Sequence, residues 1–294
     1  MSLTTLNDCI EWGANAFDEA GLHFGHGTDN AWDEAVYLAL FLLRLPYDSP
    51  REVGERVLTL DEKDQLLALY QRRITEKKPA PYLTHEANFG GMSFYVDERV
   101  LIPRSPMAES IHKQFMPWIN PDKIKNMLDL CTGSGCIAVL CAEVFPEASV
   151  VATDVSRDAL DVAEINLKKY HLESRVKLIK SDLFESIPEQ KFDVIISNPP
   201  YVDKEDMDDL PSEYLHEPDL ALKAGNDGLD LVKIILKQAK NYLSDDGILI
   251  VEVGNSAGEL IKQFPDLPFI WLEFEHGEGE VFLLSRKDLF SRTL

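Results

Sequence analysis

Met127-Leu128-Asp129-Leu130-Cys131-Thr132-Gly133-Ser134-Gly135 reads as a short apolar strand that breaks into a glycine turn, and residues 137–145 beyond it have the apolar content of a helix. Strand, tight turn and helix in that order open an α/β pattern, and the pattern continues. Val150-Val151-Ala152-Thr153-Asp154 is a second strand. Ser156 then caps a helix carrying Leu160, Ala163, Leu167 and Tyr170, and Val176-Lys177-Leu178-Ile179 is a third strand that ends at Ser181-Asp182. A fourth strand, Phe192-Asp193-Val194-Ile195-Ile196-Ser197, runs into Asn198-Pro199-Pro200-Tyr201. A helix over residues 229–242 precedes a fifth strand at 248–253. Residues 269–274 and 281–284, separated by Gly277-Glu278-Gly279, read as a closing hairpin. The expected product is a mostly parallel sheet of seven strands with one antiparallel member.

Upstream of this pattern the chain reads as helical. Leu6, Ile10, Gly13 and Phe17 recur at helical spacing, and Thr28-Asp29-Asn30 offers cap residues ahead of Trp32, Val36, Ala39, Leu40 and Leu43. Thr59-Leu60-Asp61-Glu62 has the form of a capping box before Leu66, Leu67, Tyr70 and Ile74. Three helices without strands suggest a separate module. Phe89-Gly90-Gly91-Met92-Ser93-Phe94-Tyr95-Val96 with Val100-Leu101-Ile102 reads as a connecting hairpin. Pro103-Arg104-Ser105-Pro106 then opens a helix through Met107, Ile111 and Phe115, where Arg104 either reaches a ligand or only starts the helix. The division expected is residues 1–84 helical, 85–104 hairpin linker and 105–294 α/β.

The strand ends carry the chemistry. Glycines after a first strand let a ligand approach the backbone where a helix begins. Asp129, Asp154 and Asp182 end three consecutive strands beside that turn, and a carboxylate at the second is placed to accept both hydroxyls of a ribose. An adenosine-bearing ligand fits, and two cofactors qualify. Gly133-Ser134-Gly135-Cys136-Ile137-Ala138 matches a loose dinucleotide fingerprint, a pattern that arises often by chance. Asp129 ahead of the turn suits a cationic ligand, such as the amino group of S-adenosylmethionine, and that reading also gives the proline turn a use. Two successive prolines force a stiff, extended exit from the fourth strand. The exit presents an amide, free carbonyls and an aromatic ring, a set suited to a flat group rich in hydrogen-bond donors.

Composition narrows the partners. The chain has 294 residues, and 51 acidic against 29 basic side chains give a net charge of −22. Such a surface repels nucleic-acid phosphates and attracts basic partners. No apolar run approaches membrane-spanning length, and the N-terminus lacks the pattern of a signal peptide, so a cytoplasmic protein with no membrane partner is expected. Cys9, Cys131, Cys136 and Cys141 lack paired metal-ligand spacing, and His23 and His26 lack a third ligand. No metal is expected.

Asp129-Leu130-Cys131-Thr132-Gly133-Ser134-Gly135 together with Asn198-Pro199-Pro200-Tyr201 resembles the class I methyltransferases that act on planar nitrogen. A helical N-terminal module, a hairpin and Leu101-Ile102-Pro103-Arg104 are similar to the protein-(glutamine-N5) methyltransferase family. Within it, the branch acting on large-subunit ribosomal protein L-three is the better match, through Gly25-His26-Gly27-Thr28-Asp29-Asn30, Cys131, Leu183 and Glu213-Tyr214-Leu215-His216-Glu217-Pro218. The resemblance implies a Rossmann-like catalytic domain, a helical domain that recognises substrate, and S-adenosylmethionine as cofactor. It implies that Asp129, Cys131, Thr132, Gly133, Ser134, Gly135, Asp154, Asp182, Leu183 and Asn198 hold that cofactor. It further implies that Asn198, Pro199, Pro200, Tyr201 and Arg104 receive the substrate, with Asn198, Pro199 and Tyr201 catalytic. Methylation of release factors, adenine-amino methylation of nucleic acid, and a non-enzymatic ligand-sensing role in ribosome assembly are the alternatives.

Overall fold

The computed structural model describes residues 3–275 and 279–290. Met1, Ser2, and the Gly277 and Glu278 of the expected closing turn lie outside the described residues. Contacts divide the chain into two compact units. One comprises Met1–Ala87 with Pro211–His216, and the other Asn88–Leu210 with Glu217–Leu294. This differs from the expected division in two respects. The hairpin linker is not separate, since most of it belongs to the larger unit, and a short segment from far along the chain joins the helices.

The smaller unit is built from α1 (Leu6–Glu19), α2 (Ala31–Leu43), α3 (Leu60–Glu76) and α4 (Ala80–Thr84). Local chemistry sets their starts. Thr59 and Glu62 form the expected capping box, Thr5 and Asp8 form a second, and Asn30 accepts the Asp33 amide at 2.9 Å. The α1 stripe is buried as expected, and Gly13 is needed there because a Cβ would sit 2.5 Å from the Tyr70 ring. The other stripes shift. Trp32 is 46% exposed, and α3 buries Leu66, Leu69, Tyr70 and Arg73. Arg73 is the surprise. Its guanidinium donates to Glu34 at 2.6 Å, to Glu213 at 3.3 Å and to the His23 carbonyl at 3.0 Å. Glu213 also accepts the His23 amide, so this ionic knot is what binds the distant segment into the unit.

From Asn88 the larger unit takes up a hairpin of β1 (Ala87–Phe89) and β2 (Met92–Phe94), turned at Gly90-Gly91. Residues 100–102, expected to extend it, are not strand. After α5 (Met107–His112) come β3 (Asn126–Leu130), α6 (Cys136–Val144), β4 (Ser149–Asp154), α7 (Arg157–Lys169), β5 (Val176–Lys180), β6 (Phe192–Ser197) and α8 (Lys204–Asp208). Then follow α9 (Asp230–Ala239), β7 (Leu243–Glu252), α10 (Ala257–Gln263), β8 (Ile270–Trp271), β9 (Val281–Ser285) and α11 (Arg286–Phe290). The sheet order is β5-β4-β3-β6-β7-β9-β8. The pairs from β5 to β7 are parallel, and β9 is antiparallel to both of its neighbours.

The expected seven-stranded, mostly parallel sheet is present, with adjusted boundaries. β7 starts five residues before position 248, and β8 is only two residues long. Both faces of the sheet are covered. Along β7, Ile248 and Ile250 join a core with α5 and α6, while Leu249 and Val251 join one with α9. Alternate residues of one strand thus serve two cores.

The buried ionic knot generates a test. Replacing Arg73 by leucine strands two buried carboxylates, and loss of one partner of such a set costs about 3–5 kcal/mol. Urea unfolding followed by the fluorescence of Trp12 and Trp32 is expected to show the helical unit of Arg73→Leu melting at much lower denaturant. An unchanged midpoint would contradict the reading.

Candidate active site

The chain leaves β3 toward β4 and β5, then crosses back so that β6 lies on the other side of β3. In open α/β sheets, ligands bind outside the carboxyl ends of the strands at such a switch point. A cavity of about 280 Å³ opens there, and its wall lies wholly within the larger unit.

The glycine turn forms one side of it. Thr132 donates its amide to the Thr153 carbonyl at 2.9 Å, which ties the turn to β4. Gly133 (φ +54°) has open space where a side chain would stand, so a ligand can approach the backbone closely. Gly135 (φ +79°) is required for a different reason: a Cβ would meet Ala163 of α7 at 3.1 Å. From α7, the buried Asn166 donates to the Ser134 carbonyl and exchanges two hydrogen bonds with the Tyr95 backbone, which locks the turn to the chain after the hairpin. Cys131 stands where the general pattern has another glycine and takes φ +59°, and Leu183 takes φ +42°. Left-handed backbone costs a non-glycine residue roughly 1–2 kcal/mol, so packing holds both in place. The Cys131 thiol is pushed up by burial first and by Asp154 second, and stays protonated.

Three carboxylates sit around the turn in different states. Asp154 accepts the Gly133 amide at 3.0 Å and the Ser156 amide at 2.9 Å, while burial raises its pKa. Asp182 lies in the cavity wall and is exposed. Asp129 was expected at the strand end facing a ligand, but it is fully buried beneath the turn. Its Oδ2 accepts the Thr132 hydroxyl at 2.6 Å, and its Oδ1 makes no well-formed hydrogen bond, with only a weak pull from the Ala138 backbone amide. Burial lifts its pKa to about 7, the Thr132 hydrogen bond opposes this, and the Asp154 charge adds to it. An unsatisfied buried carboxylate under an open glycine turn fits a cofactor that carries a cationic amine.

The proline turn forms the opposite side. Asn198 and Pro200 line the cavity together with Cys131, Thr132, Gly133, Ser134, Asp154, Asp182, Leu183 and Arg104. Pro199 and Tyr201 do not line it. Pro199 is buried, and the Tyr201 ring lies against Gly254, where a Cβ would fall 2.5 Å from it. Arg104 is in the wall with its guanidinium held in a two-point pair by the buried Glu217, at 2.7 and 2.8 Å. Glu217 also accepts the Ile102 amide.

Sequence reasoning assigned no role to Glu217, Asn166 or Glu252. Glu252 ends β7 next to the proline turn, and its place at a strand's carboxyl end, like that of Asp154, was the available signal. Among the described residues, no cluster of His, Cys, Asp or Glu is placed to hold a metal, and the four cysteines are free. No described helix is long and apolar enough to cross a membrane.

A pH dependence follows from Asp129. Its folded pKa lies above the ordinary carboxylate value, so the unfolded chain binds fewer protons between about pH 4 and 7. This group's effect on the stability of the ligand-free protein therefore worsens as pH rises across that window and is fully unfavourable above it. Asp129→Asn removes the penalty. Thermal melts of the ligand-free proteins should show the variant gaining on the parent at pH 8 but not at pH 4, and a gain equal at both would exclude this origin.

Comparison with known proteins agrees with the geometry. The methyltransferase small-domain model matches residues 112–226. The hMettl16 catalytic domain, solved in complex with a MAT2A 3′UTR hairpin, superposes with a TM-score of 0.53 at 19% identity, over 79% of this chain and 84% of that one. At that identity the likeness is one of fold. Two relatives reach much further. The ribosomal protein uL3 glutamine methyltransferase of Neisseria gonorrhoeae is 51% identical over 290 residues, covering 98% of this chain and 97% of that protein. The protein of the same description from Francisella tularensis is 49% identical over 290 residues, covering 98% and 92%. At about half identity over nearly the whole of both chains, this chain belongs to the family of ribosomal protein uL3 glutamine methyltransferases.

Proposed function

We propose that this protein methylates the side-chain amide nitrogen (N5) of a glutamine in ribosomal protein uL3, the L-three of the sequence reading. The observation that carries the reading is the joint lining of one cavity by the glycine turn at Gly133-Ser134 and the proline turn at Asn198 and Pro200. The first suits a nucleoside-bearing methyl donor and the second suits a planar amide.

S-adenosylmethionine supplies a methyl group activated on a sulfonium. The chain's residues place it. The buried Asp129 would attract the donor's amino group from beneath the turn, the backbone of Cys131 to Gly135 would hold its amino-acid portion, Asp154 would take the ribose hydroxyls, and Asp182 and Leu183 would flank the adenine.

At the other side, the Asn198 side-chain oxygen in the cavity wall accepts one hydrogen of the glutamine amide, and the Pro199 carbonyl, just behind that wall, would accept the other, with Tyr201 behind them. An amide nitrogen is a poor nucleophile because its lone pair is delocalised into the carbonyl. Two acceptors on its N–H groups aim the nitrogen at the methyl group and favour the positive charge that develops on it. No strong base need act first, since methylation acidifies the nitrogen before its proton leaves. Pro199 has no N–H, and Pro200 next to it donates none, so neither competes for the acceptors. Arg104, already paired with Glu217, shapes the substrate side of the wall.

The net charge of −22 favours capture of a strongly basic ribosomal protein, and the helical unit, with its exposed Trp12 and Trp32, is the part assigned to recognise it. Neither a membrane nor direct contact with nucleic acid is needed, and the reaction is assigned to the cytoplasm.

Intact-mass measurement tests this. Ribosomal protein uL3 and a peptide-chain release factor are each incubated with the protein and S-adenosylmethionine. The expected result is one added methyl group on uL3 alone. Asn198→Ala is expected to slow that transfer by about 10²–10³-fold while binding of the methyl donor persists. Methylation of the release factor alone would reassign the substrate, and an undiminished Asn198→Ala would remove the amide-acceptor mechanism.

A further inference from the structure

A buried carboxylate lies behind the proline turn with no part in the scheme above. β6 and β7 are parallel neighbours with Ser197 beside Val251, so the next residues, Asn198 and Glu252, continue side by side past the end of the pairing. Glu252 is 3% exposed. Two hydroxyls converge on its two oxygens, the Tyr201 hydroxyl donating to Oε1 at 3.0 Å and the Ser105 hydroxyl to Oε2. The strand register sets Asn198 beside the same carboxylate, and its amide favours the charged form. Ser105 is held in its donating role because its own oxygen accepts the Met107 amide at 3.2 Å. Tyr201 is braced from behind, since its carbonyl accepts the Ser256 hydroxyl at 3.0 Å and its ring covers Gly254.

The Asn198 contact has a consequence for orientation. A carboxamide has a donor end and an acceptor end of nearly equal shape, and only its partners decide which way it faces. Burial raises the Glu252 pKa, while the Ser105 and Tyr201 hydroxyls, the Arg104 charge and the Asn198 amide oppose the rise. In the ionised form that these groups favour, the carboxylate accepts and cannot donate, so the Asn198 NH₂ turns to Glu252 and leaves Oδ1 for the cavity that Asn198 lines.

We propose that Glu252 is a positioning residue for methyl transfer, fixing the Asn198 carboxamide with its oxygen toward the substrate amide and pinning Tyr201 through its hydroxyl. The inference rests on the glutamine-methylation reading for its catalytic meaning. The orientation of Asn198 stands apart from it. With the amide reversed, Asn198 would present N–H to N–H, and the substrate nitrogen would lose the acceptor that aims it.

A double-mutant cycle with Asn198→Ala and Glu252→Gln tests the first part. Glu252→Gln keeps the volume but turns one acceptor into a donor. The expected result is a kcat about 10–100-fold lower, with the dissociation constant for S-adenosylmethionine and the Tm close to those of the parent protein. The double variant should be no slower than Asn198→Ala alone, since both changes remove the same acceptor. Additive losses, or a loss that tracks Tm, would mean a packing role and overturn the proposal.

Hydrogen exchange of the Asn198 side-chain NH₂, measured by NMR with the signal assigned by its absence in Asn198→Ala, tests the second part without any substrate. Those protons should exchange slowly in the parent protein and faster in Glu252→Gln. Fast exchange in the parent protein overturns the proposal even if the Glu252 variant does not fold. If uL3 is never methylated by the parent protein, the functional reading fails, and the exchange measurement still decides whether Glu252 orients Asn198.

Discussion

Pairing of β3 with β4 on one side and β6 on the other is the constraint on which the site depends. Because the chain winds away from β3 in both directions, a cavity opens at its carboxyl end, and the parallel strands end at that edge. Asp154, Asn198 and Glu252 come from strands far apart in sequence and arrive together for this reason. The cavity is a product of topology, and the residues around it are adjustments to it.

Those adjustments include several buried charges, each managed differently. Arg73 is matched by two carboxylates and a carbonyl, a closed set that exists within the helical unit and joins the Pro211–His216 segment to it. Glu217 is matched by Arg104 and a backbone amide. Glu252 is surrounded by neutral donors, and Asp129 keeps one oxygen without a partner. Fully matched charges hold a structure together at modest net gain, whereas an incompletely matched one leaves affinity for something else. By that measure Asp129 is left with an unmet demand beneath the turn, and Glu252 is directed at the protein's own proline turn.

Features governed by neighbours in sequence were legible beforehand. The capping box at Thr59 and Glu62, the Asn30 cap, the Ser156 cap and the alternation along β6 and β7 all follow from interactions spanning a few residues. Errors arose where a distant partner intervened. Trp32 fits a helical stripe yet is exposed, while Arg73, a charge at a stripe position, is buried because Glu34 and Glu213 are there to receive it. β7 begins at Leu243, ahead of the strand expected at 248–253, and its early Asp245 and Asp246 are exposed and leave the buried run intact. Val100 and Ile102 are buried, Val100 and the half-buried Leu101 stand in the cavity wall, and none of the three is strand.

Sequence alone determined the order of strands and helices, the glycine turn, the acids at the strand ends and the stiff Asn198-Pro199-Pro200-Tyr201 exit, since each is written in adjacent residues whose backbone preferences are local. It also carried the family, because whole motifs survive intact. Only the tertiary structure decided that Cys131 and Leu183 adopt left-handed backbone, that Asp129 lies beneath the turn with one oxygen unsatisfied, and that Arg104 is spoken for by Glu217. It alone set Glu252 against Asn198 and Tyr201. These depend on burial and on partners brought from separate strands, and burial is a property of the packed sheet that no short stretch of chain can express.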